Sequence, residues 1–213
     1  MKYLTICAAV IATALCSTFC AAPKDKWDSL LDKYADSTEV NQLVFVKCTG
    51  GDTADVSFYV RNGEKWDMHG EESGWIGRNG FGKEKEGDGK TPLGEFGVGK
   101  AFGILPDPGT TLEYIHVTSS IFACDEDCEY YNTIIDTAEV HHACKGEDMS
   151  RIKGYNYGFQ IMYNPDNVPG LDSNIFFHCG SGNTSGCVAV SEEFCREIVA
   201  RITSGARVCI YEK

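Results

Sequence analysis

Positive charge is scarce in this chain: 19 lysines and arginines face 31 aspartates and glutamates over 213 residues, a formal net charge of -12. Nucleic acid and anionic bilayers bind through clustered Lys and Arg, so neither is an expected partner. Long apolar runs are missing too. The run at residues 4–15 falls short of the roughly 20 residues a spanning helix needs. There is no internal repeat and no low-complexity tract. The remainder is ordinary for one globular domain, with 43% hydrophobic residues to build a core.

Residues 1–22 read as a secretory signal peptide, with Lys2 ahead of the apolar run and small residues around Cys20, Ala21 and Ala22. Thr13 and Ser17, three residues before Cys16 and Cys20, stand where lipoprotein signals usually carry leucine. The expected product is secreted or periplasmic, without a membrane anchor. Cleavage would remove Lys2, Cys7, Cys16 and Cys20, leaving a charge of -13 and Cys48, Cys124, Cys128, Cys144, Cys179, Cys187, Cys195 and Cys209. Export favours disulfides.

After the signal, residues 23–41 read as a helix and linker: Trp27, Leu30, Leu31 and Tyr34 recur at helical spacing and would pack on the domain. A β meander follows at residues 43–49, 54–61 and 64–69. Gly50, Gly51 and Asp52 make its first turn, and Asn62 with Gly63 makes a type I′ hairpin. Val56, Phe58 and Val60 alternate with Ser57, Tyr59 and Arg61. Residues 74–103, dense in glycine and charge, read as loops and short extended pieces, and such loops often carry function. Further strands are expected at 114–118, 157–163, 174–177 and 207–211. A helix is expected at 192–202, capped by Ser191, with Glu192 and Glu193 at its positive end and Phe194, Ile198, Val199 and Ile202 as its buried stripe.

The chemistry concentrates between His178 and Cys187, which bracket a glycine-rich loop. A cysteine titrating near pH 8.5 needs help to act as a thiolate at neutral pH. His178, held at the end of a buried strand, is placed to be the general base. The backbone amides around Ser185 and Gly186, with little side-chain bulk beside Cys187, are placed to meet an oxyanion. Cys187 is therefore expected to be a free, reactive thiol. Cys179, next to His178 on a strand, should face the other way and suits a structural disulfide.

Four segments resemble the L,D-transpeptidase catalytic domain family (YkuD-like), in particular its short, single-domain members. Residues 86–96, Glu-Gly-Asp-Gly-Lys-Thr-Pro-Leu-Gly-Glu-Phe, are similar to the family's D-G-K-T-P-x-G-x-F segment. Tyr157 and Gly158 with Tyr163 and Asn164 resemble its tyrosine strand, residues 175–178 its strand ending in histidine, and Ser185, Gly186 and Cys187 its S/T-x-G-C motif. The resemblance implies a mainly β catalytic domain over residues 42–213, sandwich- or barrel-like, with a few peripheral helices. It also implies action on peptidoglycan stem peptides through an acyl-enzyme on Cys187, with His178 as base, Gly186 and Cys187 amides in the oxyanion hole, and Ser185 orienting the loop. Asp88, Tyr157 and Tyr163 are candidate substrate contacts, and no cofactor is implied. The arginine that many members carry shortly after the cysteine is replaced here by Val188, Ala189 and Val190, and no peptidoglycan-binding module accompanies the domain.

Competing readings are weaker on the residues themselves. Cys124, Cys128, His141, His142 and Cys144 are irregularly spaced for zinc, so no metal is expected. Residues 86–94 lack phosphate-loop spacing. Histidine precedes cysteine here, unlike the papain-like order. Asn183-Thr184-Ser185 is formally a glycosylation sequon, but a glycan there would obstruct the site. A carboxypeptidase or wall hydrolase using the same site, and a non-catalytic disulfide-stapled binding module, are the alternatives.

Overall fold

The computed structural model describes residues 25–140 and 146–213. The expected signal peptide at residues 1–22, and His141, His142 and Cys144 of the zinc reading, lie outside the described residues. In chain order the elements are α1 (Lys26–Lys33), β1 (Gln42–Gly50), β2 (Thr53–Asn62), β3 (Lys65–Trp75), β4 (Gly94–Phe96), β5 (Val98–Gly103), β6 (Tyr114–His116), β7 (Ile121–Cys124), β8 (Thr133–Asp136), α2 (Thr137–Val140) and β9 (Glu147–Asp148). Two single-turn 3-10 segments, Met149–Arg151 and Lys153–Asn156, lead to β10 (Gly158–Ile161), β11 (Phe176–Cys179), β12 (Val188–Val190), α3 (Glu192–Arg201) and β13 (Ala206–Glu212).

Among the described residues, ten strands form one mixed sheet in the order β4-β13-β1-β2-β3-β12-β11-β10-β5-β6, and β8-β7-β9 form a small second sheet. The domain is mainly β with few helices, as the resemblance implies. The meander reads as expected: β2 and β3 pair antiparallel with Asn62 opposite Lys65, and Gly63 takes the positive φ of 64° that the tight turn demands. β1 and β13 instead run parallel.

The apolar pattern explains the layers. Val44, Val46, Val56 and Phe58 meet Phe159, Phe177 and Val190 from the other half of the sheet, and Ile198, Val199 and Ile202 close this main core. The opposite face of β1 is not left to solvent. Leu43 and Phe45 are covered by Trp27 and Leu30 of α1, with Trp27 and Phe45 ring centroids 5.1 Å apart. Leu43 to Val46 therefore form a continuous apolar run, which is what a strand buried on both faces requires. α1 is held by Asp25, whose carboxylate accepts from the Trp27 and Asp28 amides, and α3 by Ser191, whose hydroxyl accepts from the Phe194 amide.

A second, smaller core of Phe102, Val117, Ile121, Met149, Tyr155 and Phe176 sits on the far face of β10 and β11 and joins the two sheets. The site lies against it.

Candidate active site

β11 places the histidine. Its side chains alternate, so Phe177 and Cys179 enter the main core while Phe176 and His178 face the second one. β12 lies beside β11 in parallel, with His178 opposite Ala189 and Phe177 opposite Val188. One step back along β12, Cys187 lies beside Phe176, whose amide donates to Sγ at 3.3 Å. The thiol itself donates to the Asn174 carbonyl at 3.5 Å. His178 and Cys187 thus share a face and line one cavity of about 510 Å³. Its walls include Glu147, Tyr155, Asp172 and Asn174.

The imidazole is oriented from behind. Nδ1 lies 2.7 Å from the Cys179 carbonyl, which as an acceptor assigns the ring proton to Nδ1 and leaves Nε2 with its lone pair. The Tyr155 ring packs edge-on at 5.2 Å, and its hydroxyl donates to Glu147 at 2.5 Å. Gly154 passes so close that a Cβ there would sit 2.5 Å from the Cys179 carbonyl and 3.1 Å from Nδ1. Any side chain at 154 would displace the ring.

Burial dominates the electrostatics of both groups. It pushes the His178 imidazole below its usual range, against the carbonyls of Cys179 and Gly154 that favour its charged form. It pushes the Cys187 thiol up to about 12, with the Phe176 amide pulling the other way. At pH 7 the resting pair is therefore neutral thiol and neutral imidazole. Thiolate is on the order of one part in 10⁵, so the base must act as the nucleophile attacks.

The segment at residues 86–96 proves to be a buttress for the nucleophile loop. Thr91 is fully buried, and its Oγ1 accepts from the Gly77 amide at 2.8 Å and donates to the Gly186 carbonyl at 2.8 Å. Asp88 accepts from Lys83 Nζ at 2.7 Å and from the amides of Glu84, Lys85 and Lys90. Burial opposes its ionisation, yet these donors hold its carboxyl well below the usual range. Lys83, its side chain wholly buried, also pairs with Asp172. Burial works against its charge, but the two carboxylates outweigh this and raise its pKa. Gly186 fits over this assembly at φ 151°, where a Cβ would meet the Lys90 carbonyl at 3.0 Å and Lys83 Cε at 3.1 Å. Only glycine fits immediately before the cysteine.

The loop is also tied from its outer side. Thr184 exchanges backbone hydrogen bonds with Ile76 and Arg78, at 2.9 and 2.8 Å. Its hydroxyl donates to the Cys187 carbonyl at 2.7 Å and accepts from the Gly186 amide at 3.1 Å. Ser185 is exposed, and its Oγ accepts from Arg78 Nη1 at 2.8 Å. The three residues directly after Cys187 include no arginine, but Arg78 brings one to the loop from the turn after β3.

Of the residues expected at the site, Cys187, His178, Gly186 and Ser185 come together along the cavity. Asp88, Tyr157 and Tyr163 are not among its lining residues. Tyr157 is buried in the main core, and Tyr163 packs edge-on against Phe96 and donates to the Leu171 carbonyl at 3.0 Å. Sequence reading missed Thr91, Lys83, Asp172, Arg78, Gly154 and Tyr155. Thr91 and Lys83 flank or sit in the motif segment, and their usefulness was visible there only as a pattern. Cys48, Cys179, Cys187, Cys195 and Cys209 are free thiols. Among the described residues no group of three or more His, Cys, Asp or Glu is placed to hold a metal ion, and no helix is long and apolar enough to cross a membrane.

Comparison with known proteins places this architecture. No curated protein matches the chain in sequence. Among solved structures it is similar to Bd1075 of Bdellovibrio bacteriovorus, at 18% identity and a TM-score of 0.44, covering 81% of this chain and 48% of that one. It is also similar to the helical cell shape determining protein Pgp2 of Campylobacter jejuni, at 20% identity and a TM-score of 0.44, covering 87% of this chain and 55% of that one. The chain thus spans about half the length of these relatives. The family model for YkuD, the L,D-transpeptidase catalytic domain, matches residues 41–210. That match takes in the sheet, the cavity and both ends of the His178 to Cys187 loop, and the chain belongs to the L,D-transpeptidase catalytic domain family.

Proposed function

We propose that this protein is an exported cysteine acyltransferase of the L,D-transpeptidase type, acting on peptidoglycan stem peptides with Cys187 as nucleophile and His178 as general base. The observation that carries the reading is the shared cavity: imidazole and thiol line one cleft at the two ends of a loop braced from both sides.

The chemistry follows from the neutral resting pair. As Sγ leaves the Asn174 carbonyl and attacks the substrate carbonyl carbon, its proton passes to Nε2 of His178. The imidazolium that forms is stabilised by the carbonyls of Cys179 and Gly154. The oxyanion meets the Cys187 amide, and the Gly186 amide joins it as its bond to Thr184 Oγ1 opens. Collapse expels the terminal D-amino acid, protonated by His178, and leaves a thioester on Cys187. An amine then gives transfer, and water gives hydrolysis. Such substrates lie outside the cytoplasm, where a signal at residues 1–22 would deliver the protein.

Incubation with a tetrapeptide-bearing muropeptide tests the reading. The expected result is release of the terminal D-amino acid together with crosslinked dimers, both abolished in Cys187→Ala. Release without dimers assigns the hydrolytic branch, and release that survives in Cys187→Ala refutes the site.

A further inference from the structure

We propose that Cys179 and Cys195 form a disulfide that staples the strand carrying His178 to α3 and encloses the nucleophile loop in a covalent ring. The two thiols come from different elements, the last residue of β11 and the first turns of α3, and they converge on a single acceptor. Each Sγ donates to the Tyr157 carbonyl at 3.3 Å, so the two thiols meet at one oxygen. Both are buried in the main core. Cys209, by contrast, lies in the separate cluster beneath α1.

The pair is chemically unequal. The neighbouring Cys195 thiol holds Cys179 below its usual range, whereas burial and the neighbouring Cys179 push Cys195 well above. Cys179 is therefore the attacking sulfur. Its thiolate displaces one thiolate from a disulfide donor, either glutathione disulfide or the disulfide of an oxidoreductase, and forms a mixed disulfide. Cys195, deprotonated in turn, displaces the second. The two cysteines lose two electrons and two protons, and the donor takes them up as two thiols. Because both sulfurs are buried, the reaction belongs to the folding chain or to its transient openings.

The consequence lies in what the ring contains. The 15 residues between the cysteines include the whole of residues 180–187 and β12, so the bond restrains the unfolded chain across the catalytic loop. A ring of that size shifts the unfolding equilibrium by about a hundred-fold.

The test uses the full chain, equilibrated with oxidised and reduced glutathione at an oxidising ratio. The protein is then denatured in an alkylating reagent without reductant and digested for mass spectrometry. The expected result is one peptide pair joined through Cys179 and Cys195, with Cys187 recovered alkylated, and a lower unfolding midpoint after reduction. The cross-link is absent in Cys195→Ser and in Cys195→Ala. Recovery of Cys179 and Cys195 as alkylated thiols in the wild-type protein overturns the proposal, as does either one joined to another cysteine. Acylation of Cys187 by a carbapenem is read separately, so failure of the staple and failure of the catalytic reading are distinct results.

Discussion

Replacing Thr91 with valine tests whether the motif segment positions the nucleophile. Valine keeps the shape and removes the hydroxyl that accepts from the Gly77 amide and donates to the Gly186 carbonyl, both at 2.8 Å, in a fully buried position. Two buried polar groups are left unpaired, each costing about 1–3 kcal/mol, so the loss of stability is about 2–6 kcal/mol. For a chain of this size that lowers the melting temperature by roughly 5–20 °C. The Gly186 carbonyl immediately precedes the Cys187 peptide unit, so the loop loses its register with His178 and acylation slows by roughly a hundred-fold. Urea unfolding measures the first effect, and single-turnover acylation of Cys187 by a carbapenem, followed by intact mass, measures the second. Thr91→Ser, which keeps the hydroxyl, is the control and should retain most of both. A Thr91→Val protein within about 0.5 kcal/mol and two-fold of wild type would refute the buttress.

Three further outcomes follow from the same geometry. Burial holds His178 below the usual imidazole range, so the acid limb of acylation should lie below pH 6.5, with the rate falling as the ring protonates; a limb above pH 7 would contradict the buried neutral base. With its thiol pushed up to about 12, Cys187 should react with iodoacetamide at pH 7 about 10³-fold more slowly than an ordinary cysteine, and a rate equal to free cysteine would mean a preformed thiolate. Glu86 is pushed up to about 7 by burial and the Asp172 carboxyl, so the folded state holds its proton where the unfolded chain has released it. The stability this contributes is complete below the unfolded value and is lost as pH rises through about 7. Urea midpoints of Glu86→Gln should therefore change less between pH 5 and pH 8 than those of wild type, and equal slopes would sink the argument.

Local signals in the sequence were legible where one side chain or one turn decides the geometry. The Asn62-Gly63 turn and the Ser191 cap depend on neighbours a few positions away, and each lies where its pattern predicts; the stripe of α3 buries Ile198 and Val199 as expected, with Cys195 beside them and Phe194 only half-buried. The helix ends at Arg201 rather than at residue 202, because Ile202 takes extended backbone as the chain turns into β13. β3 runs on to Trp75 beyond the expected residue 69. Its second half, rich in glutamate, pairs with β2 at the surface, where the polar face carries no apolar alternation.

The small sheet was not legible, since β7, β8 and β9 are two to four residues long and too short to show a period. Residues 74–103 read as loops, yet β4 and β5 lie within them, supported by β13 and β10 and not by their own glycine-rich sequence. In the site, the two ends of the loop were visible because they are close in sequence. Its supports were not. Thr91 meets Gly186 across 95 positions and Arg78 meets Ser185 across 107, and no local pattern encodes such pairs.

The claim at the centre of this account is that Cys187 is a nucleophile activated by His178. Intact and peptide mass spectrometry after incubation with a carbapenem tests it most directly. The account predicts a single covalent adduct on Cys187 in the wild-type protein, none in Cys187→Ala, and a rate lowered by roughly 10²–10⁴-fold in His178→Ala. A folded wild-type protein that takes no adduct, or one that takes it on another cysteine, would contradict it.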